Sequence, residues 1–394
     1  MRPAFHPRRY RNLTLVLLFS GVFLFVAIEI VKEMGYLNND FFTFWLAGHM
    51  LWTGQNPYIA SDWISGHSQF GVTWVPNEKF VYPLPLALFY APLGYLSLYD
   101  ARVTWVFLSE VMITLSVFAL ISLQTNSTRK YYIIPILAGV VLFRPTYITL
   151  FFGQISGLVL FLLVGVVYLW EMKKWLLGGM VLPLVMLKPS LGGPILIILA
   201  LWLLIQKRGA ALVGIAVSAF ALMFVGMMLD SNWIIEYLAI GKNKMAESFG
   251  FSPTLWGLAA YVSGFDIYRT LFLGGAAISI LLAGVFYLMW RKHKTMTPAW
   301  IASVAITTAL LVTPYAWPYD QLLLVIPIVT IMMTMVTRRY PFVLTSMVFV
   351  ILDLMAIALF IISARIQLET PNVLIPLVIF CALVFCIVPR QFAN

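Results

Sequence analysis

The sequence predicts an all-α polytopic membrane protein, and three observations support this fold class. Of the 394 residues, 62% are hydrophobic and only 10% are charged, whereas about a quarter of the residues of a soluble domain carry charge. Apolar runs of roughly 17–25 residues recur from end to end, and that length crosses the hydrocarbon layer of a bilayer. Short basic clusters separate these runs, as they do in proteins that are oriented by a membrane.

Residues 1–394 are predicted to form a single integral membrane domain. The net charge of +10 does not indicate a nucleic-acid partner, because the basic residues lie in the short clusters between apolar runs. The start of the chain is similar to a signal sequence. However, Glu29, Lys32 and Glu33 leave no small-residue cleavage site, so we expect the first helix to be retained.

About twelve transmembrane helices are predicted. In order along the chain they cover residues 13–31, 102–123, 131–143, 155–170, 175–187, 194–206, 210–229, 270–290, 299–316, 321–337, 342–362 and 373–388. With the N-terminus in the cytoplasm, every even-numbered helix ends at basic residues, as the positive-inside rule requires. These inner clusters are Arg2 to Arg11, Arg129-Lys130, Lys173-Lys174, Lys207-Arg208, Arg291 to Lys294, Arg338-Arg339 and Arg390. The short spans over 131–143 and 175–187 are expected to be tilted, broken or embedded only partway in the bilayer.

Two long segments are predicted on the outer face, over residues 32–101 and 230–269. The first is expected to contain interfacial helices, because residues 41–53 carry apolar side chains at helical spacing and are closed by Gly54. Long segments on one face of a membrane protein are where binding and catalytic residues concentrate. The active site is therefore predicted on the outer face.

Asp40 is the candidate catalytic residue. It lies about nine residues after the first predicted span, which ends at residue 31, and its carboxylate could take a proton from an attacking sugar hydroxyl. An aspartate at the start of a helix is also a common N-cap. Both readings are open for Asp40.

Lys188 and Arg144 are candidate donor-phosphate ligands. Each precedes a proline at the outer end of a short span, and a cation there could stabilise a leaving phosphate. Each side chain could instead extend to the lipid headgroups. Gln154 follows Arg144 closely and is a candidate substrate-binding residue. Asp320, in the junction from Thr313 to Gln321, could orient a sugar or cap a helix.

The sequence resembles the GT-C superfamily of glycosyltransferases, and within it the bacterial polyprenyl-phosphomannose-dependent α-1,2-mannosyltransferases. The resemblance is carried by Asp40 with residues 42–48, by residues 54–58 and 82–85, by Gly153 to Ser156, by Lys188-Pro189, and by residues 313–321. Where relatives often have a Trp-Asp-His run, this chain has Trp317-Pro318-Tyr319-Asp320-Gln321, without histidine.

The resemblance implies a GT-C-like fold, Asp40 as general base, inversion at the anomeric carbon and no cofactor. It also implies an undecaprenyl- or decaprenyl-type phosphate sugar as donor. Tyr319, His49 and Tyr82 complete the predicted substrate-binding set. No metal ligands are predicted, although a divalent metal between Asp40 and Asp320 is left open. The predicted partners are the lipid-linked donor, a lipid or glycan acceptor and membrane lipids.

An argument independent of the family also favours a lipid-linked donor. Nucleotide sugars are cytoplasmic, so a sugar used on the outer face has to arrive attached to lipid. Together with this argument, the resemblance implies a hexosyltransferase, such as a mannosyltransferase, of a bacterial-type plasma membrane and cell envelope. The main alternative is a transporter or lipid-linked saccharide flippase, which would place its site at the bilayer midplane.

Overall fold

A computed structural model describes residues 7–37, 39–72, 75, 77–123 and 131–387, and these residues form α-helices and short 3-10 helices without any strand. The α-helices are α1 (Pro7–Met34), α2 (Asp40–Trp52), α3 (Ala60–Gln69), α4 (Leu84–Gly94), α5 (Leu98–Ser122), α6 (Ile133–Leu142), α7 (Arg144–Phe152), α8 (Ser156–Glu171), α9 (Trp175–Val181), α10 (Pro189–Ile205), α11 (Gly209–Leu229), α12 (Trp233–Ser248), α13 (Leu255–Val262), α14 (Ile267–Lys292), α15 (Pro298–Val312), α16 (Val325–Thr337), α17 (Phe342–Ile366) and α18 (Leu374–Ile387). The 3-10 helices cover Leu182–Leu187, Pro318–Leu324 and Thr370–Val373. The predicted inner residues Arg2, Arg129, Lys130 and Arg390 lie outside the described residues.

The chain is an integral membrane protein. Within the described residues, five helical segments are long and apolar enough to cross a bilayer: α5, α11, α14, Pro318–Thr337 and α17. A sixth is obtained if α6 and α7, which meet at a bend of 55°, form one broken span. Six further apolar helical segments in the described part of the chain have 10–17 residues, and the first predicted span lies within the 28-residue helix α1. The structure thus shows five or six candidate spans, and twelve spans are not shown.

The prolines that follow Arg144 and Lys188, just outside the predicted spans, lie in the first turns of helices. The span predicted over 131–143 continues after a break at Phe143, whose backbone is extended, and α7 then begins at Arg144 with Pro145 in its first turn. Pro189 likewise lies in the first turn of α10. Proline suits this position because its missing N–H would have no partner there in any case. Arg144 and Lys188 therefore lie at the starts of helices.

Helices α2 and α4 pack with their backbones in contact. A Cβ added to Gly48 would lie 2.6 Å from the carbonyl oxygen of Tyr90, and one added to Gly94 would lie 2.4 Å from the nitrogen of His49. The Nδ1 atom of His49 and the carbonyl of Gly94 are 2.9 Å apart. This contact fixes α2, and with it the position of Asp40 at its first residue.

Three helical segments run from one polar region towards basic pairs. Helix α8 begins at Ser156 and is followed by Lys173-Lys174, and α10 begins at Pro189 and is followed by Lys207-Arg208. The segment Pro318–Thr337 leads from Tyr319 and Asp320 to Arg338-Arg339. The polar region at the starts of these segments is described next.

Candidate active site

Asp40 is the first residue of α2, but the helix is capped by its neighbour. Asn39 has an extended backbone, and its side-chain oxygen accepts a hydrogen bond of 3.2 Å from the backbone N–H of Phe42. The N-cap role is therefore filled by Asn39. The Asp40 carboxyl is left to face a cleft.

The cleft has a volume of about 410 Å³ and combines several of the predicted residues. Its lining comprises Asp40, Thr43, Asn77, Val81, Tyr82, Arg144, Ile148, Phe152, Tyr315, Trp317, Pro318, Tyr319 and Glu369. Four residues selected from the sequence, namely Asp40, Tyr82, Arg144 and Tyr319, thus share one cavity. The lining is aromatic with a few charged groups, which is the composition of many ligand sites.

A buried polar cluster adjoins the cleft and contains three further predicted residues. The Lys188 ammonium forms an ion pair with Oδ1 of Asp320, and both side chains are almost fully buried, at 2% and 0% exposed. Lys188 also donates to Oε1 of Gln154 over 3.3 Å and lies 4.6 Å from the centre of the Tyr319 ring. Through Tyr319 the cluster is in contact with the cleft, and Lys188 does not extend to the lipid headgroups.

Asp320 uses both of its carboxylate oxygens. Oδ1 binds Lys188 and accepts from the hydroxyl of Ser156 over 3.0 Å, while Oδ2 accepts from the backbone N–H of Trp317 over 3.0 Å. The bond to Trp317 caps the 3-10 helix Pro318–Leu324, so Asp320 both caps a helix and holds Lys188. A buried cation paired in this way avoids the cost of an isolated charge.

Arg144 lines the cleft and is held by groups from the C-terminal part of the chain. Its guanidinium lies 4.4 Å from the centre of the Phe360 ring and 3.7 Å from Oε1 of Glu369. Glu369 in turn accepts a hydrogen bond of 2.7 Å from Asn372. Arg144 therefore faces the cleft in a fixed orientation.

The Asp40 carboxyl lies in an environment that favours its neutral form. Part of the side chain is open to the cleft, but protein surrounds it elsewhere, and this burial raises its pKa. The nearby Gln154 amide and the Lys188 and Arg102 cations lower the pKa and offset part of the effect. Burial likewise raises the pKa of the Tyr82 hydroxyl. A carboxyl with a raised pKa is a stronger base when ionised.

His49 is not brought into this cleft. It lies near the other end of α2, nine residues and about 13 Å along the helix axis from Asp40. Its ring stacks on Trp45 with centroids 5.0 Å apart, and Nδ1 meets the carbonyl of Gly94. The structure thus places His49 in the contact between α2 and α4.

The site also contains residues that the sequence did not single out. Glu369 and Tyr315 line the cleft, Ser156 belongs to the buried cluster, and Arg102 lies behind Asp40. Glu369 could have been found as an acid in the short predicted outer segment between the last two spans. Among the described residues, no three His, Cys, Asp or Glu side chains converge in a way that could hold a metal ion.

Comparison with known proteins places the chain in a family. A family model described as Glycosyltransferase family 87 matches residues 80–314, which is more than half of the chain. No curated protein and no solved structure matches. The matched region includes Tyr82, Arg144, Gln154 and Lys188, whereas Asp40, His49, Tyr319 and Asp320 lie outside it. The chain belongs to glycosyltransferase family 87 and is a membrane glycosyltransferase.

Proposed function

We propose that this protein moves a hexose, such as mannose, from a polyprenyl-phosphate donor to a lipid or glycan acceptor on the outer face of a bacterial-type plasma membrane. The observation that carries the proposal is the position of Asp40, which is not used as the helix cap and faces a cleft that also holds Arg144. A base and a phosphate-binding cation are the two groups that this transfer needs. Membership of a glycosyltransferase family favours this activity over the transporter and flippase alternative.

In the proposed reaction the acceptor hydroxyl attacks the anomeric carbon from the face opposite the phosphate. The new glycosidic bond forms as the bond from the anomeric carbon to the phosphate oxygen breaks, so the configuration inverts. Asp40 takes the hydroxyl proton, and the polyprenyl phosphate leaves with the bonding electron pair. The departing phosphate gains negative charge, and Arg144 stabilises it by charge-assisted hydrogen bonds.

The buried cluster has a supporting part in this proposal. Lys188 forms an ion pair with Asp320 and donates to the Gln154 oxygen, and its ammonium lies against the Tyr319 ring that lines the cleft. Its positive charge therefore acts on the donor phosphate from behind Tyr319 and not by direct contact. Tyr82 and Tyr319 present aromatic faces, which suit the C–H surface of a sugar ring. Glu369 balances the Arg144 charge before the donor is bound.

The outer-face location is supported by the run of the helices. Three helical segments begin at the cleft or the buried cluster and lead to the pairs Lys173-Lys174, Lys207-Arg208 and Arg338-Arg339. If these pairs lie in the cytoplasm, as the positive-inside rule predicts, the cleft opens on the opposite side. An activated sugar then has to reach it on a lipid carrier.

The test measures the consumption of radiolabelled polyprenyl-phosphate sugars by the purified protein, with a bacterial membrane lipid extract as the acceptor source. Asp40→Asn and Asp40→Ala should abolish turnover while the protein remains folded. Asp62→Asn is the matched control, because Asp62 lies in the first turn of the neighbouring helix α3 and does not line the cleft. Normal turnover by Asp40→Ala would show that Asp40 is not the base.

The pH dependence of the same reaction adds a second readout. Burial raises the pKa of Asp40. As the pH is lowered, the rate should therefore begin to fall while the pH is still above about 3.9, the pKa of an unperturbed aspartate. The sign follows from the role of the carboxylate, since the base acts only when it is deprotonated. An acid limb at or below the unperturbed value would contradict the assignment.

A further inference from the structure

Arg102 is a fully buried arginine that no sequence motif singled out. It is 0% exposed and lies in the second turn of α5. Within the described residues it forms no ion pair, and its Nε and one terminal nitrogen, Nη1, have no hydrogen-bond partner. A buried guanidinium is a costly way to fill space, because an apolar side chain of similar volume would avoid the desolvation of the charge. This cost points to a role beyond packing.

The other terminal nitrogen of Arg102, Nη2, binds the end of α7. It donates to the carbonyl oxygens of Leu150 and Phe151 over 3.0 and 2.6 Å. These carbonyls belong to the last turn of the helix and carry the negative end of its dipole; that of Leu150 also accepts from the N–H of the capping Gly153 over 3.2 Å. The indole of Trp105, one turn later in α5, donates to the carbonyl of Gly153 over 2.9 Å. Helix α5 therefore holds the turn that leads from α7 to Gln154.

The guanidinium of Arg102 leaves no room for a side chain at residue 153, which is glycine. The backbone of Gly153 is left-handed, with φ of 66°, and a Cβ added there would lie 2.0 Å from Nη1 of Arg102 and 2.6 Å from Cβ of Phe41. The guanidinium is also 5.4 Å from the centre of the Phe41 ring. Arg102 thus fills the space between the residue after Asp40 and the residue before Gln154.

Gln154 is the group that this arrangement would position. The Gln154 side chain is fully buried, and its oxygen accepts a hydrogen bond from Lys188. Its Nε2 makes no hydrogen bond within standard distance and angle limits to any described residue. The amide lies near enough to the Asp40 carboxyl to stabilise its ionised form, and it also adjoins the neutral Tyr82 hydroxyl. A donor held beside a carboxylate keeps that carboxylate oriented.

We infer that Arg102 is a positioning residue: it fixes the turn at Gly153 so that the Gln154 amide faces the Asp40 carboxyl across the floor of the cleft. This inference rests on the proposed function of the cleft. Arg102 touches neither donor nor acceptor. Its positive charge behind Phe41 also favours the ionised form of Asp40.

The experiment compares Arg102→Gln and Arg102→Lys with wild type in the turnover of radiolabelled decaprenyl-phosphate mannose, over a range of pH. We expect Arg102→Gln to lower kcat by about 100-fold, the order of loss caused by a misplacement of about 1 Å, with little change in KM for the donor. The acid limb should move to higher pH, because one of the charges that lower the pKa of Asp40 is gone. Arg102→Lys retains the charge and should retain the acid limb while losing part of kcat.

Arg208→Gln is the matched control. Arg208 also lies on an aromatic ring, 4.2 Å from the centre of Trp175, but it is exposed and belongs to a basic pair remote from the cleft. Its kcat and acid limb should equal those of wild type. If Arg102→Gln lowers only the melting temperature, with kcat and the acid limb of the folded fraction unchanged, Arg102 is a structural residue and the inference is wrong.

A double-mutant cycle between Arg102→Gln and Gln154→Ala separates this inference from the proposed function. If Arg102 acts through Gln154, the double variant should be no slower than the slower single variant, whereas additive losses would overturn the inference. Should Asp40→Asn retain turnover, the proposed role of Asp40 fails. In that case the double-mutant cycle, measured on the turnover that remains, still tests whether Arg102 acts through Gln154. If Arg102→Gln does not fold, Arg102→Lys takes its place in the cycle.

Discussion

Lys188 and Asp320 form a charge pair that is sealed from both water and lipid. Removal of one partner leaves the other charge buried and unpaired, so we expect Lys188→Met to lower the free energy of unfolding by about 3–5 kcal/mol. The double variant Lys188→Met with Asp320→Asn should recover much of this loss, because asparagine is neutral: its oxygen can still accept from the N–H of Trp317, and its amino group can donate to the Ser156 hydroxyl. Unfolding in mixed detergent micelles measures both.

The control for this prediction is a second ion pair, which is partly exposed. Lys79 and Glu236 are 3.0 Å apart with side chains 32% and 40% exposed, and solvent screens such a pair. Lys79→Met should therefore cost less than about 1 kcal/mol. A loss for Lys188→Met no greater than that for Lys79→Met would show that the buried pair contributes little to stability.

The sequence predicted individual site residues by their chemistry and their side of the membrane. Seven of the predicted residues lie together in the structure. The cleft is lined by Asp40, Tyr82, Arg144 and Tyr319, and the adjoining cluster contains Gln154, Lys188 and Asp320. Sequence patterns do not specify which side chains meet across 132 residues, and hence the pairing of Lys188 with Asp320 was not predicted. His49 is polar and close to Asp40 in the chain, but the helix carries it to the far end of α2.

At the level of helices, the contact between α2 and α4 sets the position of the cleft. Gly48→Ala would place a methyl group 2.6 Å from the backbone of Tyr90, which cannot move without displacing α4. We expect a loss of about 1–3 kcal/mol, the usual cost of overpacking. The loss of stability in detergent should be accompanied by reduced turnover, because α2 begins at Asp40.

Gly165→Ala is the matched helical control. Gly165 lies within α8, and an added Cβ would meet nothing within 4 Å. Alanine has the higher helix propensity, by about 1 kcal/mol, so this variant should be neutral or slightly more stable than wild type. Equal effects of the two substitutions would show that the α2–α4 contact can adjust.

Helix type was easier to predict from the sequence than helix ends. The apolar periodicity and the closing Gly54 indicated a helix over 41–53, and α2 occupies Asp40–Trp52. In the sequence, the prolines after Arg144 and Lys188 indicate the ends of spans, but proline also suits the first turn of a helix. Only the neighbouring helices decide between these two positions, and they are not visible in a local pattern.

On the scale of the whole molecule, the testable feature is orientation. After replacement of Cys381 and Cys386 by alanine, Asp62→Cys should react with a membrane-impermeant maleimide in intact cells. Lys207→Cys should react only after lysis, because the positive-inside rule places its pair in the cytoplasm. Both positions are at least partly exposed. Reaction of Lys207→Cys in intact cells would place the cleft on the cytoplasmic face and contradict the proposed donor.

Composition predicted the membrane environment because apolar content is a property of the whole chain. The number of spans was harder, since the structure has five or six long candidates where twelve were predicted. Glycine and proline interrupt several apolar runs, which then form helices of 10–17 residues. Such helices stay in an apolar environment by packing against their neighbours, and hydropathy does not reveal that packing.

The pairing of Lys188 with Asp320 also has a consequence for biosynthesis. Asp320 is translated 132 residues after Lys188, which at about 5–20 residues per second is a delay on the order of ten seconds. During that delay the nascent chain carries a cation without its counterion, and moving such a charge through the centre of the bilayer towards the outer face costs about 2.5–3.5 kcal/mol. We therefore expect the start of α10 to wait at the membrane surface or beside the insertion machinery until the later segment arrives.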